Sequence, residues 1–277
     1  MGITAADIAK LRKTTGAGMM DCKKALNETN GDFEKAIDFL RKQGKKISAK
    51  RADRDATEGV VIALTSDDNK KGVVVELNCE TDFVAKNADY VDFATKIAQT
   101  ALENTPATLD ELKSLSINDI KVSDLLDEQI GKIGEKIELS NYHLINGDFV
   151  VPYIHIGNKI GVLVNLNKAG SEDFINAGKD VAMQVAAMNP VALNKESVSQ
   201  SVIDRELEIA KEQIKKEGKP EAIADKIAQG KLNKFFKENT LLEQDFVKDS
   251  SKTVSQFLGQ LDKELTVKEF VRVALGS

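Results

Sequence analysis

Apolar positions in the first fifty residues recur at helical spacing in three separate segments. The third segment has apolar side chains at i, i+3, i+4 and i+7, namely Phe33, Ala36, Ile37 and Leu40. Glycines separate the segments, because Gly16 and Gly18 end the first helix and Gly44 is predicted to end the third. The pattern predicts a bundle of three short helices with a marginal core.

The next segment, residues 45–55, is polar and has five basic residues against two acidic ones. Segments that bind single-stranded nucleic acid usually interleave aromatic and basic side chains, and no aromatic residue occurs here. We therefore interpret this segment as an exposed connector, either helical or irregular.

From Glu58 onward the helical period gives way to β-rich runs. The runs "GVVIAL" and "GVVVELNC" flank the turn-forming sequence "TSDDNKKG", which predicts a β-hairpin. An amphipathic helix follows, with one apolar face made of Tyr90, Phe93, Ala94, Ile97 and Ala101. A further helix is predicted at "VSDLLDEQIGKIG". Strands are predicted at "EKIELSNYHLI", "FVVPYIHI", "IGVLVNLN" and in the C-terminal "LTVKEFVRVALGS".

Two strand–helix units in this part of the chain resemble each other. The similar segments are "GVVVELN" at 72–78 with "GVLVNLN" at 161–167, and "DYVDFATKIA" at 89–98 with "DFINAGKDVA" at 173–182. The link between strand and helix has ten residues in the first unit, 79–88, and five in the second, 168–172. Excess loop length on a rigid scaffold is a common location for function.

Phe83 lies in the longer link and has no counterpart in the shorter one. Two interpretations remain open for this aromatic side chain. It could fold back over the first turn of the following helix, or it could stay exposed for recognition of another molecule.

Residues at about 196–240 interrupt the second unit with two helical stripes. The stripes consist of Ile203, Leu207, Ala210 and Ile214, and of Ile223, Ile227, Leu232, Phe235 and Phe236. Gly218 and Pro220 break the helix between them, which predicts an antiparallel helical hairpin. We expect Phe235 and Phe236 to pack in a core. The hairpin is too long to bury both stripes alone, so we expect its remaining apolar surface to pack on the body or on a second copy.

Together these elements predict an α+β protein in three parts. The first part is the three-helix module with its basic linker, at 1–53. Two core halves follow, at 54–145 and 146–277, each with antiparallel strands covered by helices, and the hairpin is inserted in the second half.

Composition and charge narrow the function classes. The formal net charge of −5 argues against a dedicated nucleic-acid-binding protein. No apolar run approaches the roughly 20 residues of a membrane helix, and the N-terminus lacks a signal sequence. Two cysteines, Cys22 and Cys79, cannot form a disulfide framework. We therefore expect a cytoplasmic protein that does not bind membranes.

Candidate catalytic residues are few. Cys79 and His155 could form a nucleophile–base pair, but Cys79 ends an apolar strand, which favours a buried structural thiol. Glu80 and Asp82 could join a metal site, but both serve equally well as caps of the following helix. The sequence has no zinc-type spacing and no phosphate-binding glycine loop. We expect a binding protein with no cofactor or metal, rather than an enzyme.

Two long segments resemble a known family. "LRKTTGAGMMDCKKAL" at 11–26 and "ELNCETDFVAK" at 76–86 closely resemble the signature segments of the bacterial elongation factor Ts family. "YIHIGNKIGVLV" at 153–164 and "GKLNKFFKENTLLEQDFVKDSSKTV" at 230–254 are also similar to that family. The resemblance implies a guanine-nucleotide exchange factor for the translational GTPase elongation factor Tu, with an N-terminal module of ubiquitin-associated-like fold.

The resemblance also implies which residues contact the GTPase. In the family, an Asp-Phe pair enters the GTPase domain near its bound magnesium ion. Here that pair is Asp82 and Phe83, flanked by Thr81 and Val84. His155 matches a family histidine that lies near the nucleotide-binding domain of the partner.

The N-terminal module of the family docks on a helix of the same GTPase domain. The matching residues of this sequence are Arg12, Met19 and Met20. Longer family members extend past the last strand into a C-terminal helix that also touches the partner. Because this sequence stops at Ser277, we expect that contact to be absent.

Oligomeric state and one alternative function stay open. The resemblance implies that the hairpin is a candidate dimerisation element. A homodimer would make a 2:2 complex with elongation factor Tu a candidate assembly. The alternative to exchange is a general interaction protein whose three-helix module binds helices or ubiquitin-like partners. A cysteine hydrolase that uses Cys79 is the remaining alternative.

Overall fold

The computed structural model describes residues 2–217 and 221–276. Its helices are α1 (Ala5–Thr15), α2 (Met19–Glu28), α3 (Phe33–Arg51), α4 (Asp82–Ala85), α5 (Ala88–Asn104), α6 (Leu109–Ser114), α7 (Val122–Ile133), α8 (Glu172–Met188), α9 (Gln200–Lys216), α10 (Glu221–Asn239) and α11 (Val254–Leu261). Its strands are β1 (Glu58–Thr65), β2 (Lys71–Cys79), β3 (Ser116–Ile117), β4 (Ile120–Lys121), β5 (Ile137–Asn146), β6 (Phe149–Ile154), β7 (Ile160–Leu166), β8 (Asp245–Phe246), β9 (Asp249–Thr253) and β10 (Val267–Ala274). The mixture of helices and antiparallel sheets confirms the predicted α+β class.

The first three helices form the predicted bundle. Thr4 caps α1 in a capping box with Asp7, and Asp32 caps α3 by accepting a hydrogen bond from the Lys35 N–H. The bundle closes over a small core of buried side chains: Leu11, Cys22, Ala25, Leu26 and Ala36. Apolar side chains around this core stay partly exposed, as expected for a module of this size.

The prediction that Gly44 ends the third helix is wrong. Helix α3 passes through Gly44 and ends at Arg51, so most of the predicted connector is helical. A methyl group at Gly44 would lie 2.5 Å from the backbone oxygen of Asp127, in α7. The glycine therefore permits close helix–helix packing rather than a helix stop. An ion pair of 2.6 Å between Arg41 and Glu128 flanks the same crossing.

Each core half contains a three-stranded antiparallel sheet. The strand orders are β1-β2-β5 and β10-β7-β6, so β2 and β7 are the central strands. The two sheets pack face to face through buried side chains of both: Val61, Ala63, Val74, Ile145, Val150, Leu163 and Val273. Helix α5 covers the outer face of the first sheet and α8 that of the second, which gives four layers.

The two similar strand–helix units therefore occupy equivalent places in the fold. In each unit a central strand leads into the helix that covers its own sheet. The predicted apolar face of α5 is buried at every position: Tyr90, Phe93, Ala94, Ile97 and Ala101. The longer link of the first unit, predicted at 79–88, runs from residue 80 to residue 87 in the structure and contains the short helix α4. We call these residues the 80–87 loop.

Helices α9 and α10 form the predicted antiparallel hairpin. Their stripes pack mainly on each other, around Ala210, Ile214 and Ala228. Phe236 is buried and Phe235 half-buried at the base of the hairpin, which confirms their packing role. Among the described residues of the two helices, Ile209 is the one large hydrophobic side chain that is exposed, at 39%. Dimerisation through this hairpin stays a prediction.

Three predicted features lie outside the described part of the chain. They are the helix break at Gly218 and Pro220, the side chain of Ile223, and the chain end at Ser277.

Candidate protein-binding site

Phe83 projects from the 80–87 loop into solvent and is 83% exposed. Its neighbours in α4 point the other way, since Ala85 is buried and Val84 packs against the core of the first sheet. The interpretation that Phe83 folds back over the next helix is therefore wrong. A single turn of helix directs two small apolar side chains inward and the large aromatic one outward.

Thr81 joins the start of this turn to the segment before the neighbouring strand β5, whose Ile137 pairs with Cys79. Its hydroxyl accepts a hydrogen bond from the Val84 N–H at 3.5 Å and so caps α4. The Thr81 N–H and hydroxyl both donate to the carboxylate of Glu135, at 3.0 and 2.8 Å. Glu135 lies in residues 134–136, the turn between α7 and β5, which we call the 134–136 turn.

Glu80 makes the complementary contact. Its carboxylate accepts a hydrogen bond of 2.6 Å from the Lys136 N–H and forms an ion pair of 2.7 Å with Arg51. The Lys136 N–H and then Arg51 hold the pKa of Glu80 below its ordinary value. Because Arg51 is the last residue of α3, this ion pair connects the three-helix module to the 80–87 loop.

Asp82 lies beside Phe83 in the first turn of α4. Its carboxylate pairs with Lys86 at 2.5 Å. The hydrogen bond from Lys86 lowers the pKa of Asp82, and the charge of Lys159 acts weakly in the same direction. The surface around Phe83 therefore carries a charged carboxylate at neutral pH.

The turn between β6 and β7, residues 155–159, lies at the same end of the molecule as the 80–87 loop. Lys159 forms an ion pair of 3.0 Å with Glu58, which is opposite Cys79 in the β1–β2 register. The Asn158 carbonyl accepts a hydrogen bond of 2.7 Å from the Val61 N–H. These two contacts place the turn beside β1, the neighbour of the strand that leads into the loop.

This turn carries His155 and an exposed residue that the sequence analysis missed. The His155 ring is exposed, with Nδ1 3.0 Å from the Tyr153 hydroxyl. Ile156 is 93% exposed. The available signal was an isoleucine placed among turn-forming residues in "HIGNK", the same kind of anomaly that Phe83 presents in its own loop.

The residues predicted in the three-helix module lie on the surface of α1 and α2. Met19 and Met20 are 59% and 73% exposed. Met19 and Arg12 line one shallow groove with the apolar side chain of Ile8, whereas Met20 lies outside its lining. The module therefore presents a second exposed apolar surface, carried on helices other than α3.

Cys79 does not offer a reactive thiolate. It is fully buried, and its Sγ donates to the Thr81 carbonyl at 3.2 Å. Burial raises the pKa of the Cys79 thiol to about 11, which keeps it protonated at neutral pH. His155 is exposed in another turn, so the geometry disfavours a cysteine hydrolase.

Metal-binding clusters and membrane-spanning helices are both absent from residues 2–217 and 221–276. No group of three or more histidine, cysteine, aspartate or glutamate side chains there is arranged to hold a metal ion. No helix in that part of the chain combines the length and apolarity needed to cross a membrane.

Comparison with known proteins gives a consistent result. A family model described as "Elongation factor TS" matches residues 80–277. Elongation factor Ts of Amoebophilus asiaticus is 54% identical over 277 residues, 100% of both chains. Elongation factor Ts of Christiangramia forsetii is 54% identical over 276 residues and that of Porphyromonas gingivalis 48% over 278, each covering 99–100% of both chains. This chain belongs to the elongation factor Ts family.

Proposed function

We propose that this protein is a translation elongation factor that promotes GDP release from elongation factor Tu. The Asp82-Phe83 pair enters the GTPase near its magnesium and phosphate site, and GTP then rebinds. The observation that carries the proposal is the exposure of Phe83 at 83%, on a helical turn anchored by Thr81 and Glu80.

The exposed aromatic side chain supplies part of the binding free energy. Burying a phenylalanine contributes roughly 1.5–3 kcal/mol. Because Phe83 is exposed in the free protein, most of that contribution is obtained only when a partner buries it. A ten-thousand-fold shift between two states of the partner needs about 5.5 kcal/mol of differential binding. Phe83 alone is therefore insufficient, and further contacts must contribute.

Two other exposed surfaces support the proposal that such contacts are made. The three-helix module offers Met19, Met20 and Arg12, and the 155–159 turn offers His155 and Ile156. The module is joined to the loop through α3 and the Arg51–Glu80 ion pair. We assign all three surfaces to one interface with elongation factor Tu.

Exchange then follows from reciprocal coupling. If this protein weakens the binding of GDP to the GTPase, GDP must weaken the binding of this protein by the same factor. The protein and the nucleotide therefore displace each other. Asp82 adds a carboxylate next to the phosphates and magnesium ion of the partner, where its negative charge repels the phosphates and competes with them for the magnesium ion. This protein's residues act by binding and displacement, and no covalent bond is made or broken.

The direct test is the release of a fluorescent GDP analogue from elongation factor Tu. The wild-type protein should accelerate release, and Phe83→Ala should lose most of this effect while keeping its fold. Leu261→Ala, which shortens another exposed apolar side chain in α11, is the matched control. Wild-type release rates with Phe83→Ala would overturn the role of Phe83.

A second candidate function rests on the methionine surface of the module. Exposed methionines beside a shallow apolar groove also suit a general helix-binding or ubiquitin-like-binding protein without exchange activity. A pull-down separates the two, because an exchange factor should retain one GTPase that free GDP elutes. Retention of several partners, insensitive to GDP, would favour the second function.

A further inference from the structure

The 80–87 loop and the 134–136 turn each supply a carboxylate that accepts hydrogen bonds from the other segment. Glu80 of the loop accepts a hydrogen bond from the backbone of Lys136 in the turn, at 2.6 Å. Glu135 of the turn accepts two hydrogen bonds from Thr81 of the loop, at 3.0 and 2.8 Å. We call this arrangement the crossed carboxylate pair. It joins two segments more than fifty residues apart in sequence. Within the loop, it ends at Thr81, two residues before Phe83.

Helix α4 needs such support because it is only four residues long. A helix of this length is not stable by itself in water, since nucleation costs more than one turn regains. An exposed side chain on an unsupported turn would have to be ordered when the partner binds, at a cost in conformational entropy. Contacts that order the turn in the free protein remove that cost.

Glu135 is the member of the pair that touches α4 most directly. It engages both hydrogen-bond donors of Thr81, and the same Thr81 hydroxyl caps α4 through the Val84 N–H. Hydrogen bonds to an ionised carboxylate are about twice as strong as neutral ones. The orientation of the turn that carries Phe83 thus depends on a side chain outside the loop.

We infer that Glu135 is a positioning residue for Phe83 in nucleotide exchange. This inference rests on the proposed function, and it adds a residue from the 134–136 turn to the exchange apparatus. Glu135 acts through Thr81, by holding the first turn of α4 in the orientation that presents Phe83.

The experiment measures the release of a fluorescent GDP analogue from elongation factor Tu at saturating factor. Glu135→Ala should lower the maximal rate about tenfold, because both hydrogen bonds to Thr81 are lost. Glu135→Gln keeps one acceptor oxygen and should retain an intermediate rate. Glu111→Ala removes a glutamate of α6 that accepts a 2.8 Å hydrogen bond from the Ala107 N–H, away from the loop and the module, and should leave the rate within about twofold of wild type.

A double variant separates positioning from general destabilisation. If Glu135 acts through Phe83, Glu135→Ala should have no further effect on release in the Phe83→Ala background. A merely structural role would lower the rate in both backgrounds. Thermal unfolding of each variant checks that the protein is folded, and Glu135→Gln provides the same comparison if the alanine variant is unstable.

The outcomes distinguish the inference from the proposed function. Wild-type release by Phe83→Ala would overturn both. Slow release by Phe83→Ala with normal release by Glu135→Ala would overturn only the inference, as would additive effects in the double variant.

Discussion

A methyl group built on Gly131 of α7 would lie 2.9 Å from the Cα of Gly44 in α3. The backbones of the two helices therefore touch where they cross, with no room for a side chain between them. Ion pairs from Arg41 to Glu128 and from Lys45 to Asp124 lie along the same contact. This crossing seats the three-helix module on the first core half.

Replacement of Gly44 by alanine should destabilise this crossing. The new Cβ would lie 2.5 Å from the Asp127 backbone oxygen, so one of the helices must shift. We expect a loss of about 1–3 kcal/mol in the free energy of unfolding, measured by urea denaturation. Gly230→Ala is the control, because Gly230 lies within α10 with open space around it. It should be neutral or stabilise by up to about 1 kcal/mol. Equal effects of the two substitutions would contradict the close-packing role of Gly44.

Replacement of Met19 and Met20 by serine should weaken the complex with nucleotide-free elongation factor Tu. Both side chains are exposed in the free protein, so the fold should persist, and loss of two apolar anchors should raise the Kd about tenfold or more. Titration calorimetry measures the change. The control is Met188→Ser, at an exposed methionine at the end of α8. An unchanged Kd would show that Met19 and Met20 do not contribute to the interface.

This double substitution is a cleaner test than deletion of residues 1–53. Such a deletion would also remove α3, uncover its packing surface on α7 and take Arg51 away from Glu80. Weak binding by the truncated protein would therefore not identify the methionines as its cause.

Replacement of Ile156 by serine should reduce affinity for the same partner. Ile156 is 93% exposed, at the end of the molecule that carries the 80–87 loop, so its loss should leave stability unchanged. We expect the Kd to rise about fivefold, the effect of removing one moderate apolar contact. Val247→Ser, at an exposed valine between β8 and β9, is the control. If both substitutions leave the Kd at the wild-type value, the 155–159 turn does not contact the partner through Ile156.

The contribution of Glu80 to stability should disappear in acid. Its pKa is lower in the folded protein than the value of about 4.3 expected when unfolded. A carboxyl shifted in this direction stabilises the fold fully above its unfolded pKa and loses that effect as pH falls through the folded pKa. The difference in unfolding free energy between wild type and Glu80→Gln should therefore be constant from pH 7 to about 5 and shrink below about pH 4.

Denaturant unfolding at a series of pH values checks this expectation. Asp148→Asn is a suitable control, because Asp148 forms an exposed ion pair with Lys268 on another part of the surface. A stability difference for Glu80→Gln that stays the same at pH 3 and pH 7 would contradict the pKa shift of Glu80.

Local patterns were sufficient to predict most elements of the core. The β-branched runs form β1, β2, β6 and β7. The residues of α5 that recur at helical spacing are the ones that are buried. Internal comparison of the two strand–helix units was also sufficient to single out the 80–87 loop. These features depend on residues close in sequence, where period and turn chemistry are informative.

Features that depend on distant residues were not predictable in this way. Gly44 carries the same local signal whether it ends a helix or faces another backbone, and only the position of α7 distinguishes the two. Likewise, Glu135 meets Thr81 across 54 positions of sequence. The turn sequence marks Ile156 as unusual, but whether its side chain is exposed depends on what lies beside the 155–159 turn.

Helix α3 has 19 continuous residues and spans about 28 Å at a rise of 1.5 Å per residue. It is seated on α7 through glycine and tied at its last residue to Glu80, so the distance between the module's methionines and Phe83 does not vary freely. A partner that binds one of these surfaces meets the other already in place, with no flexible tether to order and a high effective concentration for the second contact. Under the proposed function, we expect a GTPase whose two receiving surfaces are spaced differently to engage only one of them at a time.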